Sequence, residues 1–153
     1  MKASAPSLNC PVYKAPVLAG GLAKKIRILD YGRPHEWVVE IPFLYPSENQ
    51  ILAMHPMERR RKHDKFQANA GAFLAAAHIK PFTGPVKIFI DLYFKKKRRR
   101  DNDNYGGKWL IDTIVKVGIL PDDSKEWIPA APDILLLDGE PEDKTMLKIM
   151  EVI

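Results

Sequence analysis

Val86-Lys87-Ile88-Phe89-Ile90-Asp91-Leu92-Tyr93-Phe94 is the clearest periodic stretch of the 153-residue chain. Val86, Ile88, Ile90, Leu92 and Phe94 fall on one side of a two-residue repeat, which predicts a strand with one buried face. Gly84-Pro85 marks its start by breaking whatever precedes it. Its end delivers six consecutive cations, Lys95-Lys96-Lys97-Arg98-Arg99-Arg100, followed at once by Asp101-Asn102-Asp103-Asn104.

Working outward, residues 59 to 77 contain no proline and place Phe66, Ala70, Phe73, Leu74 and Ala77 at three- and four-residue spacing. This predicts an amphipathic helix. Its N-terminal end is basic, through Arg59-Arg60-Arg61-Lys62; cations there oppose the helix dipole, and a phosphate partner accounts for them more easily than helix stability does. Downstream, Asn104 is a candidate cap for a second helix carrying Leu110, Ile111, Ile114 and Val115, with Gly118 as its stop. Lys108 and Asp112 stand one turn apart on it. Residues 134 to 137 and 146 to 153 read as closing strands around an acidic loop from Asp138 to Lys144. Upstream, Ile26 and Ile28, then Trp37, Val39 and Ile41, alternate on either side of a Gly and Pro turn, a hairpin pattern. Pro46-Ser47-Glu48-Asn49-Gln50 reads as a loop, and residues 1 to about 22 as an extended arm. Strands on both sides of two helices, with one possible parallel crossover through the second, predict an α/β or α+β domain: one mixed sheet packed with two main helices.

The length fits one domain, and 46% hydrophobic residues with three tryptophans argue for a packed core. The formal charge of +5 is unevenly spread. Ten of the 24 Lys and Arg residues lie in the runs 59 to 62 and 95 to 100; the remaining fourteen face nineteen acids. Charge concentrated in two places reads as a phosphate-binding surface. Cys10 is the lone cysteine, so no internal disulfide is available and an intracellular, cytoplasmic setting is expected. No signal-peptide core is found in the Pro-rich leader, and no apolar run approaches the roughly 20 residues that span a bilayer.

Carboxylates beside a basic surface weaken its hold on a polyanion unless a metal neutralises them. Hard cations such as Mg²⁺ take oxygen ligands, often one or two carboxylates with water and substrate phosphate. Asp101 and Asp103 can share such an ion, and Asp123 can join them once the second helix returns the chain to Pro121-Asp122-Asp123. A cluster of this kind is expected to be strained or partly protonated when empty. Each piece alone also has a plain explanation: Asp101 to Asn104 as helix-capping Asx turns, and Pro121 to Ser124 as an ordinary turn. Asp101, Asp103, Tyr105, Gly106 and Asp112 also fall at EF-hand loop positions. Tyr105 is a poor ligand, however, position twelve lacks Glu, and the preceding element is a strand.

The run Arg98-Arg99-Arg100-Asp101-Asn102-Asp103-Asn104, with Lys108, Asp112, Gly118 and Asp122-Asp123, resembles the signature of the RusA family of Holliday-junction resolvases. Ile41-Pro42 with Pro46-Ser47-Glu48-Asn49, and Gly84-Pro85-Val86-Lys87-Ile88, are similar to that family's first strand and loop and to its central strand. The resemblance covers residues 37 to 153 and leaves 1 to 36 as an N-terminal extension. It implies a RusA-like α/β domain acting as a homodimer on four-way DNA junctions with Mg²⁺, or Mn²⁺ in its place. By position it makes Asp101, Asp103 and Asp123 metal ligands and Lys108 the catalytic lysine. Asp122 is then either a further ligand or a group behind the ligands. Lys95, Lys96, Lys97, Arg98, Arg99 and Arg100, with Arg59, Arg60 and Arg61, are the expected DNA contacts. One residue more than the family pattern separates Asp103 from Lys108, at Gly106-Gly107. A non-catalytic DNA- or RNA-binding module, with the acids as turns and caps, is the competing expectation.

Overall fold

The computed structural model describes residues 12–14, 27–29 and 36–152. In chain order these form β1 (Val12–Lys14), β2 (Arg27–Leu29), β3 (Glu36–Ile41), α1 (Glu48–Ala53), α2 (Pro56–Ala76), β4 (Val86–Phe94), α3 (Lys108–Lys116), β5 (Asp133–Asp138) and β6 (Lys144–Glu151). A 3-10 turn at Asn102–Asn104 lies between β4 and α3. The strands make one sheet in the order β1-β2-β3-β6-β4-β5. Every pairing is antiparallel except β4 with β5, whose register sets Phe94 beside Asp138. The β4-α3-β5 connection is therefore the expected parallel crossover, and the fold is the expected α+β arrangement with a mixed sheet and two main helices.

β4 runs over the residues its alternation predicts, and Val86, Ile88, Ile90, Leu92 and Phe94 are all buried. They share a core with Val39 and Ile41 of β3, Leu147 and Ile149 of β6, Phe73 and Leu74 of α2, and Leu110 and Ile114 of α3. The helices thus cover the sheet face that β4 defines. Deleting one fully buried member, such as Leu92→Ala, costs about 2–5 kcal/mol. The predicted hairpin is present as β2 against β3, with Ile28 opposite Val39; its turn lies outside the described residues.

Four expectations are corrected. The stretch read as a loop at 46–50 begins α1: Ser47 accepts a hydrogen bond from Gln50 N (3.2 Å), and the Gln50 side chain accepts one from Ser47 N (2.9 Å), a reciprocal capping box. Within the arm, Val12–Lys14 pairs with β2 as a short strand. α2 starts earlier than its basic run, because Pro56 sits at the first helical turn, where its missing N–H costs nothing. Finally, Asn104 does not cap α3: its Oδ1 instead accepts from Asn49 N (3.0 Å), and Gly107 is the cap. Gly107 has φ +76°, and a Cβ there would meet Ile90 Cδ1 at 2.9 Å, so only glycine fits the turn that starts α3 directly at Lys108. The predicted C-terminal stop is observed, with Gly118 at φ +85° and Ile119 N donating to Ile114 O.

Candidate functional site

β4 ends where the basic run begins, and Lys95, Lys96, Lys97, Arg98 and Arg99 are all exposed. Arg100 is not. Its side chain is 8% exposed, its guanidinium carbon lies 3.8 Å over the Phe94 ring, and Nη1 pairs with Asp138. The same group reaches back to the Arg98 and Lys96 carbonyls at 3.3 and 3.1 Å. Arg100 thus binds the basic segment into one compact shape and is a structural cation rather than the expected DNA contact. The acidic β5–β6 loop braces the segment from the other side: Asp143 Oδ1 accepts from Lys95 N at 2.8 Å, and Lys97 packs on Gly139.

Arg59, half-buried, also serves the fold. Its Nε donates to Ile51 O (3.1 Å), which also accepts from Met54 N, and its Nη2 donates to Met54 O (3.4 Å), so it closes the C-terminal end of α1. A helix end thus accounts for its position at the start of α2, whereas Arg60 and Arg61 remain exposed.

Asp101 and Asp103 are exposed on either side of the start of the 3-10 turn. Asp101 has the extended conformation of a cap residue, yet its side chain makes no capping bond. Among the described residues neither carboxylate has a hydrogen-bond or ion-pair partner, so Asx capping does not explain them. Asp122 behaves as the turn reading requires, accepting from Ser124 N at 2.8 Å.

The return loop after α3 brings Asp123 to Lys108. Lys108 Nζ donates to Asp123 Oδ2 (2.7 Å) and pairs with Asp112 Oδ1 (2.9 Å). His63 Nε2 of α2 lies 3.2 Å from Asp112 Oδ2, and its ring meets Trp109 edge-on at 5.2 Å. Hydrogen bonds from Lys108 hold the Asp123 carboxyl below the usual carboxylate range, and the two carboxylates push the Lys108 ammonium above its ordinary value, that of Asp123 first. This corrects the expected protonated or strained state of Asp123, because a lysine sits beside it. His63 is a residue the sequence reading missed. It shares a helical face with Phe66, Ala70 and Phe73, and that spacing is the signal that places it against α3.

Among the described residues no three acidic, histidine or cysteine side chains are grouped to hold an ion. No hydrogen bond or ion pair ties Asp101 or Asp103 to the Lys108–Asp123 pair. The donor chemistry nevertheless fits a hard divalent cation, since the unpartnered groups are carboxylate oxygens, and Asp123, 46% exposed, is paired with the exposed Lys108 alone. The chain matches no protein-family model and no curated protein. No helix of the described residues is long and apolar enough to cross a membrane.

Proposed function

We propose that the chain is a metal-dependent endonuclease acting on branched DNA, with the four-way junction as its substrate, inside the cell. The observation that carries this reading is the pair of unpartnered, exposed carboxylates, Asp101 and Asp103, which follow five exposed cations with only Arg100 between. Unneutralised acids in that position weaken phosphate binding, a cost that makes sense when an ion sits between them and the phosphate. Asp101 and Asp103 would hold Mg²⁺ or Mn²⁺, with Asp123 completing the set and Asp122 keeping its turn. The bound metal supplies a water ionised near neutral pH and relief of charge at the leaving oxygen.

The chain's own side chains do the rest. Lys95 to Arg99, with Arg60 and Arg61, hold sugar-phosphate backbone without reading sequence. Lys108 presents a permanent ammonium at the N-terminus of α3, where it can meet charge growing on the scissile phosphate or position the attacking water. Asp112 and, behind it, His63 fix the direction of that ammonium. A two-fold homodimer would place one such site on each of two equivalent junction strands.

The test is to incubate the purified protein with labelled four-way, three-way and linear DNA, with and without Mg²⁺. Symmetric nicks in the four-way substrate that require Mg²⁺ and disappear in Asp101→Asn are the expected result. Tight binding indifferent to Mg²⁺, with no substrate cut, would instead establish the non-catalytic nucleic-acid module, a reading favoured by the Lys108–Asp123 pair.

A further inference from the structure

An open groove of about 600 Å³ lies between α1, α2 and the end of β4. Its volume is in the range of pockets that take small ligands, roughly 300–1,000 Å³. The floor is aromatic and tightly fixed. Tyr45 donates its hydroxyl proton to Tyr105 O (3.0 Å), and the Tyr105 ring lies 5.4 Å from Phe94, which carries the Arg100 guanidinium on its face. Phe66 and Trp109 form a second aromatic wall at 5.9 Å, and Met54 extends the apolar surface. The rim is cationic, from Lys62 and Lys65 of α2 and Arg98 of the basic run, and among the described residues no Asp or Glu lines the groove. Lys65 and the Arg98 guanidinium have no acidic partner among the described residues, while Lys62 pairs only with the exposed Glu58.

An apolar floor under a cationic rim, with two of its three cations free of an acidic partner, matches one chemistry closely: a nucleobase with its phosphates. We infer that this groove takes an unpaired nucleotide of the DNA substrate, with the base on the aromatic floor and the flanking phosphates on Lys62, Lys65 and Arg98. The inference rests on the DNA reading above. It requires an unpaired nucleotide because a base inside a duplex has both faces covered by its neighbours and cannot descend past the rim. Arg98 belongs to both the groove and the exposed run beside Asp101. A strand held along the run therefore reaches the groove without leaving cationic surface, and the nucleotide placed there lies a short distance along the backbone from the proposed site of cutting.

The full chain should be titrated, in EDTA, with a 12-nucleotide single strand carrying 2-aminopurine, with the same sequence as a blunt duplex, and with a polyglutamate peptide. The expected result is a change in 2-aminopurine emission on binding. The Lys62→Ala/Lys65→Ala double variant, altered only at exposed positions, should bind the single strand roughly tenfold more weakly, and its log affinity against log salt should flatten by about 1.4. Duplex affinity should change far less. A second variant, Met54→Glu, should abolish the emission change while leaving duplex binding intact. Equal losses for single strand and duplex, or polyglutamate displacing the strand as well as DNA does, would overturn the groove assignment while leaving the DNA reading in place. Absence of binding to any DNA would overturn both. Binding as expected without any nicking in Mg²⁺ would support the groove and remove only the nuclease reading.

Discussion

Lys108 is the residue on which the proposed chemistry converges, because it is shared between two carboxylates and stands at the start of α3. Asp123 is held below its ordinary pKa by this lysine, so its part of the pairing is present above the unfolded carboxylate value and is lost as pH falls through the lowered folded value. Lys108 has the opposite sign: its raised pKa contributes fully below the unfolded lysine value and is lost as pH rises through the folded one. Both groups are well exposed, and solvent screening keeps the stability effect small. The sharper expectation concerns titration. In Lys108→Met, the Asp123 carboxyl should titrate at higher pH than in the parent chain, as read by carboxyl carbon shifts in NMR without metal. An unmoved Asp123 would show that the pair does not form in solution. If Lys108 also meets the transition state, the same variant should lose about 10²–10³ in nicking rate, the scale seen when one preorganised donor is removed.

At the scale of elements, the site depends on where α3 begins, and Gly107 decides that. Gly107→Ala should destabilise the chain by about 1–3 kcal/mol in urea unfolding, from a left-handed backbone and a Cβ driven against Ile90. Ser47→Ala, which removes one half of the α1 capping box, should cost about 1 kcal/mol in the same measurement. What sequence could reveal follows the range of the interaction. β4 was legible because nine alternating residues carry their own signal, and Asp101 and Asp103 because they adjoin the cations. α1 was missed because six residues hold too little periodicity to stand out, although Ser47 and Gln50 spell its cap. The ion pair of Arg100 with Asp138 was illegible because it needs the parallel register that sets Phe94 beside Asp138. His63 with Asp112 needs α2 packed on α3, and only the spacing of His63 with Phe66 hints at it.

Across the whole molecule, the +5 charge resolves into an exposed cationic segment braced by an acidic loop, with the unpartnered carboxylates at its end. The cations are therefore not interchangeable. Replacing Lys95, Lys96 and Lys97 with alanine should flatten the dependence of log DNA affinity on log salt by about 2 to 3, with unfolding unchanged. Arg100→Ala should do the reverse, lowering stability through the lost Asp138 pair and Phe94 contact while moving the salt slope little. Asp101 and Asp103, before α3, and Asp123, after it, are proposed to act as one ion site. Titrating Mn²⁺ into isotope-labelled protein and following paramagnetic broadening residue by residue tests this directly. The Asp101, Asp103 and Asp123 signals should broaden together at the same low metal concentration. Broadening confined to the Asp101–Asp103 turn, with Asp123 sharp and still paired to Lys108, would contradict the single ion site.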